Sequence, residues 1–265
     1  MNFIRVNDVS LHFEATGLGQ DRPMIVFSNS LGTDLRIWDD VVKNLASEFS
    51  TVTYDKRGHG LSDLGETPYT IEAHVADLAA LLDHLGATQP VICGLSVGGL
   101  IAQGLYAKRP DQVRAMILCD TGSKIGNEIV WNDRIRAIEQ GGIESIADAI
   151  VSRWFTSGFR KSPAFDGSRN MLVRQSTAGY IATCAAIRDA DFREIARTIS
   201  VPTLCLVGDG DETTPPHFVA ALAQSIPGAR YAVIRGAAHI PCLEQPEALS
   251  VLIRDFIHAL PVGES

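Results

Sequence analysis

The chain of 265 residues is long enough for one large domain with a single hydrophobic core. Its composition, with 46% apolar and 20% charged residues, is that of an ordinary globular protein and excludes a disordered or collagen-like chain. The net charge of −8 argues against nucleic acid as a partner, since phosphate backbones are bound by basic surfaces.

The cysteines and the N-terminal segment bear on the compartment. Five cysteines form an odd set without a C-x-x-C pair, which argues against a disulfide framework or a zinc site. Asp8 interrupts the N-terminal segment before an apolar stretch can form, so no signal peptide is expected. Glycines break the most apolar stretch, 91–107, which suits a strand, turn and helix better than a membrane helix. We therefore expect a cytoplasmic protein without membrane contact.

Short apolar runs alternate with longer amphipathic segments along most of the chain. The runs predict buried, parallel strands at 24–28, 51–54, 91–93, 115–119, 203–207 and 230–234. The amphipathic segments predict helices at 71–85, 99–108, 216–225 and 248–259. This alternation predicts an α/β fold with helices on both faces of the sheet.

The alternation stops between residues 122 and 189. Helical patterns at 128–140, 143–155, 168–176 and 178–188 predict a helical cap inserted into a core of residues 1–121 and 190–265. The cap segment holds nine basic and seven acidic residues, against fourteen and twenty-four in the rest of the chain. This difference either favours an anionic ligand or arises by chance.

Residues 91–99 read V-I-C-G-L-S-V-G-G and predict a strand, a very tight turn and a helix. In such a turn Ser96 takes a strained backbone and points outward, so only small residues fit at Gly94 and Gly98. The following helix dipole and the Val97 N–H favour a developing oxyanion. We interpret Ser96 as a nucleophile; the alternative is a bystander serine in a glycine-rich turn.

A serine nucleophile needs a general base, and the sequence has seven histidines. His239 lies in the small-residue loop G-A-A-H-I-P after the last predicted strand, from which it can reach Ser96. His59 lies in a turn after strand 51–54 and is expected to be structural. The others are expected to be ordinary surface, core or capping residues: His12, His74, His84, His217 and His258. We therefore predict that His239 is the base.

Three aspartates compete for the role of the acid that fixes the tautomer of His239. Asp209 and Asp211 lie in the loop after strand 203–207, and Asp120 directly follows strand 115–119. For Asp209 an Asx-turn is the alternative. The chain order Ser, Asp, His favours Asp211, while Asp120 stays a rival at the sheet edge.

At these residues the chain resembles the α/β-hydrolase fold superfamily over nearly its whole length. The resemblance rests on the D-x-R-G-x-G-x-S turn at 55–62, the turn at Ser96 and the loops at Asp211 and His239. It implies a mostly parallel sheet, an inserted helical cap and a Ser-His-Asp triad. It also implies that the backbone N–H groups of Leu31 and Val97 hold the oxyanion. One departure is that S-N-S-L-G stands at 28–32, where many relatives carry His-Gly.

Within that superfamily, the run S-N-S-L-G-T-D-x-R-x-W at 28–38 looks like the 3-oxoadipate enol-lactonase family. D-K-R-G-H-G-L-S at 55–62 and G-L-S-V-G-G at 94–99 fit the same family. The resemblance implies hydrolysis of the enol-lactone to 3-oxoadipate in the β-ketoadipate pathway of aromatic degradation. The reaction would pass through an acyl-enzyme and would need no metal or organic cofactor.

The implied substrate is a small anionic lactone, so its pocket needs a cation or several hydrogen-bond donors. Arg134 is the candidate for its carboxylate, with Trp131 on the same helix face and Trp154 as candidate pocket walls. Ser30 or Thr33, near the oxyanion turn, is a further candidate donor. The alternatives are tryptophans that only pack the cap and an arginine that faces solvent.

Other functions fit the same residues. A carboxylesterase or a carbon–carbon bond hydrolase would use the same triad, and a cofactor-free perhydrolase the same serine. A ligand-binding signalling protein with this fold and negligible turnover belongs to another class. Haloalkane dehalogenases and epoxide hydrolases are disfavoured, because they place an aspartate where Ser96 stands.

Overall fold

One eight-stranded sheet runs through the computed structural model, which describes residues 1–261. In chain order its strands are β1 (Asn2–Val6), β2 (Val9–Thr16), β3 (Met24–Ser28), β4 (Ser50–Tyr54), β5 (Val91–Leu95), β6 (Ala115–Cys119), β7 (Thr203–Gly208) and β8 (Arg230–Ile234). Across the sheet the order is β1-β2-β4-β3-β5-β6-β7-β8. The six strands β3 to β8 pair in parallel, and they are the six strands that the sequence predicts. Five are fully or almost fully buried, whereas β8 is largely exposed because it forms one edge of the sheet.

Strands β1 and β2 were not predicted from the sequence. They form an antiparallel hairpin, and β2 also pairs antiparallel with β4. A search for uninterrupted apolar runs misses such strands, since a half-exposed strand alternates polar and apolar residues. The turn signal is Asn7, which has a positive φ of 50° between the two strands.

Eleven α-helices accompany the sheet in the described residues 1–261. They are α1 (Asp39–Leu45), α2 (Ile71–Leu85), α3 (Val97–Lys108), α4 (Glu128–Gly141), α5 (Glu144–Trp154), α6 (Pro163–Val173), α7 (Thr177–Asp189), α8 (Arg193–Ala196), α9 (Pro216–Ser225), α10 (Pro241–Glu244) and α11 (Pro246–His258). The four helices predicted for the core are α2, α3, α9 and α11. Helices α1, α8 and α10 span one or two turns, too few to show a helical period in the sequence.

Five of these helices, α4 to α8, lie between β6 and β7, and the first four, α4 to α7, are called the cap helices below. Three agree closely with the predicted helices, but α6 begins and ends earlier than predicted. The Ser162 hydroxyl accepts a hydrogen bond from the Phe165 N–H, and Pro163 takes the first position of α6. Ser176, predicted as the end of this helix, instead caps the start of α7. The boundaries at 121/122 and 189/190 stay predictions.

A single large hydrophobic cluster joins the sheet to the cap helices. Trp154, Leu172 and Tyr180 of the cap belong to the same cluster as the buried side chains of the sheet. Leu172 and Tyr180 approach Gly32 so closely that a Cβ there would lie 2.6 and 2.9 Å from them. Since Gly32 follows β3, the cap packs on the loops at the carboxyl ends of the strands. In residues 1–261, none of the helices combines the length and the apolar character that a membrane crossing requires.

Candidate active site

The turn between β5 and α3 holds Ser96 in a backbone conformation that serine rarely adopts. Its φ is 57° and its ψ is −116°, immediately before the first residue of α3. A Cβ at Gly94 would lie 2.2 Å from the Gly98 carbonyl oxygen, and one at Gly98 would lie 2.1 Å from the Ser28 carbonyl oxygen. The two glycines are therefore needed for this turn, and the strained backbone at Ser96 is held by its surroundings.

Hydrogen bonds to the backbone of Ser96 fix the turn and leave its side chain available. The Ser96 N–H donates to the Cys119 carbonyl at 3.0 Å, and the Thr121 hydroxyl donates to the Ser96 carbonyl at 2.7 Å. Within residues 1–261 the Ser96 hydroxyl has no hydrogen-bond partner of its own, and Ser96 is 8% exposed in a cavity. The hydroxyl is thus presented at the start of α3, where the helix dipole favours negative charge.

His239 and Asp211 form a buried pair next to that cavity. Asp211 Oδ2 lies 2.8 Å from His239 Nδ1, so the Nε2 atom of the imidazole ring is left for other chemistry. The same carboxylate accepts hydrogen bonds from the Thr213 N–H at 2.7 Å and from the Thr214 hydroxyl at 2.7 Å. Burial opposes the ionisation of Asp211, but His239 and these donors lower its pKa to about 2. Asp211 is therefore a carboxylate at neutral pH.

The rival acid, Asp120, is close to this pair but is not the partner of His239. Asp120, Asp211 and His239 place one ligand atom each within 4.8 Å of one another. Asp120 Oδ1 accepts a hydrogen bond from the Gly208 N–H at 2.9 Å, while its Oδ2 has no partner in residues 1–261. Burial, together with the charge of Asp211, raises the pKa of Asp120 well above its usual range. We infer that Asp120 is a neutral carboxylic acid beside an ionised one.

This charge state makes Asp120→Asn a stabilising substitution at neutral pH. Because the pKa of Asp120 is raised by folding, the unfolded chain loses this proton near pH 4 while the folded chain keeps it, so stability falls as pH rises. Asparagine still offers an oxygen that accepts the hydrogen bond from the Gly208 N–H, but it has no acidic proton to lose. We expect urea denaturation to show a gain of at least about 1 kcal/mol at pH 8 that disappears near pH 3. An equal gain at both pH values would show that Asp120 is not held neutral.

The loop that carries His239 is fastened to β7, β8 and the cap. Asp209 Oδ1 accepts a hydrogen bond from the Gly236 N–H at 2.9 Å, which gives Asp209 a structural role. Glu244, which sequence reasoning missed, accepts from the Ala238 N–H at 2.6 Å and from the Thr156 N–H at 2.9 Å. Glu244 therefore links the His239 loop to the end of α5. Its only sequence signal is a carboxylate five residues after His239.

Of the two predicted oxyanion donors, Leu31 lies in the loop after β3 and lines the same cavity as Ser96, and Val97 directly follows Ser96. Among the hydrogen bonds of residues 1–261, neither backbone N–H is engaged as a donor. Val97 is the first residue of α3, where an N–H has no partner within the helix. The turn after Leu31 is fixed by Gly32, whose φ is 77° and whose N–H donates to His59 Nε2 at 3.1 Å. His59 thus has the structural role expected of it.

A cavity of about 150 Å³ unites most of the predicted site residues. Seven of the nine line it: Ser30, Leu31, Ser96, Trp131, Arg134, Trp154 and His239. Of the other two, Asp211 lies behind His239, and Val97 lies at the start of α3. Sequence reasoning missed further lining residues, including Ile125, Ile150, Tyr180 and Arg153. Thr33 is not among the lining residues, and its hydroxyl donates to the Ser30 carbonyl at 2.9 Å. The chemical roles of the site residues stay predictions.

Arg134 brings a positive charge to the cap side of this cavity. Its guanidinium lies over the Trp131 ring, 4.7 Å from the ring centre, and Trp131 is fixed by a hydrogen bond from its Nε1 to the Ile125 carbonyl. No carboxylate lies within 4 Å of Arg134 in the described part of the chain. Arg153 lines the same cavity, and Glu212 is an exposed acidic residue at its edge. An anionic ligand would therefore meet a guanidinium without an acidic partner.

A larger cavity, of about 440 Å³, lies elsewhere. It is lined by His12, Asp55, Arg36 and Arg174 among others, and Ser96 and His239 are not part of its wall. Size alone would therefore favour this larger cavity, whereas the positions of the predicted nucleophile and base favour the smaller one.

Comparison with known proteins agrees with this geometry. The model of the alpha/beta hydrolase family matches residues 25–250. The chain is 35% identical to 3-oxoadipate enol-lactonase 2 of Acinetobacter baylyi over 93% of this chain and 92% of that protein. A solved enol-lactonase from Burkholderia xenovorans is 36% identical, with a TM-score of 0.93 over 97% of this chain and all of that one.

Other similar proteins have different activities. A solved thermophilic esterase from Thermogutta terrifontis is 31% identical, with a TM-score of 0.89 over 96% of this chain and 95% of that one. Such variety shows a common fold and a hydrolase character without fixing the substrate. With its mostly parallel sheet and its matching residues 25–250, the chain belongs to the alpha/beta hydrolase family.

Proposed function

We propose that this hydrolase opens 3-oxoadipate enol-lactone to 3-oxoadipate through an acyl-enzyme on Ser96. The observation that carries the proposal is the cavity in which Ser96 and His239 meet the unpaired guanidinium of Arg134. Similarity to enol-lactonases at 35% and 36% identity over nearly the whole chain supports the substrate. A neutral ester would not need the positive charge of Arg134.

In the first half of the reaction, Ser96 Oγ attacks the lactone carbonyl carbon while His239 Nε2 takes the hydroxyl proton. Asp211 holds His239 in the required tautomer and stabilises the imidazolium that forms. The carbonyl oxygen becomes an oxyanion that accepts hydrogen bonds from the N–H groups of Leu31 and Val97. The ring carbon–oxygen bond then breaks, and the leaving enolate takes the proton from His239 Nε2 to become the ketone, which leaves His239 neutral for the second half.

In the second half, water cleaves the ester between the acyl group and Ser96. His239 takes a proton from the water, whose oxygen bonds to the acyl carbon, and returns it to Ser96 Oγ as the ester bond breaks. The products are the free serine and 3-oxoadipate, and the same two N–H groups hold the second oxyanion. No step requires a metal ion or an organic cofactor.

Arg134→Ala is expected to weaken binding of the anionic lactone in particular. Loss of a charge-assisted hydrogen bond in a partly closed site raises KM by about tenfold or more. The KM of the lactone methyl ester, which lacks the carboxylate charge, should change less than about twofold. Arg136→Ala is a matched control, because Arg136 lies on the same helix, is exposed and pairs with Asp133. Equal losses for both substrates would remove Arg134 from the binding site.

The experiment that tests the proposed substrate compares kcat/KM for the free lactone, its methyl ester and simple aryl esters. The proposal expects the free lactone to be preferred over its methyl ester by at least about tenfold. Rapid cleavage of aryl esters with little action on either lactone would instead indicate a carboxylesterase. The proposal would then fail, although Ser96 could still be the nucleophile.

We also propose a reducing compartment, the cytoplasm, for this enzyme. All five cysteines are buried thiols. Cys93 and Cys119 lie on the adjacent strands β5 and β6, yet they form no disulfide. This cysteine usage is typical of proteins that work among reduced thiols.

A further inference from the structure

A buried lysine lies directly behind the loop that carries the Leu31 N–H. Lys56, on the turn after β4, is only 1% exposed, and its ammonium donates to the Ser30 carbonyl at 2.6 Å. In residues 1–261, none of the carboxylates lies within 4 Å of this ammonium. A buried cation without an acidic partner is costly for a fold, so its place beside the site calls for a reason.

The atom that Lys56 contacts belongs to the peptide group of interest. The Ser30 carbonyl and the Leu31 N–H are the two ends of one planar amide. A cation at the oxygen draws electrons from the nitrogen, which makes the N–H a stronger donor. It also fixes the direction of the amide, so the Leu31 N–H needs no reorganisation when an oxyanion forms.

We propose that the Lys56 ammonium is a positioning and polarising residue for the oxyanion hole, acting through the Ser30–Leu31 peptide group. This inference rests on the proposed use of Ser96 and the Leu31 N–H, but not on the identity of the lactone. Lys56 is not among the lining residues of the cavity, and its ammonium contacts the carbonyl end of this peptide group and not the N–H end, so it acts through the peptide group.

A second donor to the same carbonyl allows the effect of the Lys56 charge to be tested separately from the effect of its hydrogen bond. The Ser30 carbonyl also accepts from the Thr33 hydroxyl at 2.9 Å. Loss of the lysine therefore leaves the carbonyl with a neutral donor, and loss of the Thr33 hydroxyl leaves it with the cation. The two substitutions remove one donor each from the same oxygen, but only one of them removes a charge.

The protonation state of Lys56 gives the inference a pH dependence. Burial lowers the pKa of Lys56 to about 7, although Asp55 and Asp34 raise it. The ammonium is therefore charged below about pH 7 and loses its charge as pH rises. Two histidines face it: burial and the Lys56 charge lower the pKa of His59 well below its usual range and that of His74 to about 3. Both histidines stay neutral from about pH 6 upward, and so do not obscure the titration of Lys56.

The other charges near Lys56 are fixed by strong partners. Asp55 is 2.8 Å from His12 Nδ1 and accepts from the Leu35 N–H. Asp34 forms a bidentate pair with Arg36, and Arg57, next in the chain, pairs with Asp77. Each of these charged groups therefore has a hydrogen-bonded partner other than Lys56.

The test measures inhibition by an aryl trifluoromethyl ketone, using p-nitrophenyl acetate as the reporter substrate. Ser96 Oγ adds to the ketone carbon, its proton passes to His239, and the former carbonyl oxygen becomes an oxyanion. Lys56→Met and Lys56→Gln are compared with the wild type, with Thr33→Val as the matched control. Ser96→Ala serves to show that the reporter reaction uses Ser96.

The proposal expects the inhibition constant to rise about tenfold in both Lys56 variants near pH 6, with KM for the ester changed less than about twofold. The ratio of variant to wild-type inhibition constants should approach one near pH 9, because wild-type Lys56 is then neutral. Thr33→Val should change the inhibition constant less than about threefold at every pH.

Three results would overturn the inference. The first is an inhibition constant that Lys56→Met and Lys56→Gln leave unchanged. The second is a ratio of variant to wild-type inhibition constants that does not change with pH, which indicates a merely structural lysine. The third is an equal effect of Thr33→Val, which indicates that any donor to this carbonyl suffices. Lys56→Gln keeps a neutral hydrogen-bond donor on a side chain that is one bond shorter, so the comparison survives if Lys56→Met does not fold. If only lactone turnover is absent while Ser96 still cleaves the ester, the proposed substrate fails and this test remains valid.

Discussion

Ser96→Ala is expected to lower kcat by about 10⁴-fold to 10⁶-fold, for the lactone and for aryl esters alike. Without Oγ no acyl-enzyme can form, and only binding and oxyanion stabilisation remain to speed the attack of water. The Ser96 hydroxyl makes no hydrogen bond within residues 1–261, and alanine keeps the Cβ that the turn already accommodates. The melting temperature should therefore shift by less than about 3 °C.

A matched control for Ser96→Ala is Ser62→Ala. Ser62 donates to the Asp55 carbonyl and accepts from the His12 N–H at 2.9 Å, so its role is in the fold. We expect Ser62→Ala to lower the free energy of unfolding by about 1 kcal/mol while kcat changes only slightly. If Ser96→Ala keeps a wild-type rate, the nucleophile is another group and the whole catalytic assignment is wrong.

Asp211→Asn should have the second largest effect, a loss of about 10³-fold to 10⁴-fold in kcat. Asparagine can present its amide N–H to His239 Nδ1, which favours the wrong tautomer and removes the charge that stabilises the imidazolium. Asp120→Asn should change kcat by less than about threefold, because Asp120 is already neutral and its Oδ1 only accepts from the Gly208 N–H. Steady-state kinetics of both variants on the same ester measure this contrast.

The reverse outcome would move the acid to Asp120. A large loss in Asp120→Asn with a small one in Asp211→Asn would mean that His239 turns toward β6 during the reaction. Comparable losses in both would mean that the two carboxyl groups act as one unit that shares a proton. The 2.8 Å contact between His239 and Asp211 predicts neither of these results.

Local sequence was enough to predict the parts of the site that lie within one turn. The G-x-S-x-G pattern predicts the strained backbone at Ser96. A side chain at Gly94 would collide with Gly98, only four residues away, and one at Gly98 would collide with Ser28 at the end of the neighbouring strand. The parallel strands were predictable because strands buried on both faces appear as uninterrupted apolar runs. Residues in loops after these strands meet at one edge of the sheet, which is why His239 was found.

The choice between Asp120 and Asp211 depends on distances that the sequence does not contain. Both residues lie near the carboxyl ends of adjacent strands, β6 and β7, and both are buried. Only the three-dimensional structure gives Asp211 the contact with His239 and the donors from Thr213 and Thr214. Chain order favoured Asp211, which the structure pairs with His239, but it gave no physical reason to exclude Asp120.

Supporting residues from distant parts of the chain escaped the sequence analysis for the same reason. Lys56 contacts Ser30 across 26 positions, and Glu244 contacts Thr156 across 88. Neither residue type has a periodic or local signature of such a contact. The hairpin of β1 and β2 was missed because β2 alternates polar and apolar residues and β1 is short and mostly exposed. Long-range partners and half-exposed strands are thus the parts of this protein that require the structure.

The most direct test of the central claim is the loss of ultraviolet absorbance of freshly prepared 3-oxoadipate enol-lactone, measured with the wild-type protein and with Ser96→Ala. The account predicts rapid loss with the wild type, with kcat/KM above about 10⁴ M⁻¹s⁻¹, and none above background with the variant. Proton NMR of the wild-type reaction should show 3-oxoadipate as the product. No loss with a wild-type protein that still cleaves aryl esters would contradict the lactonase assignment.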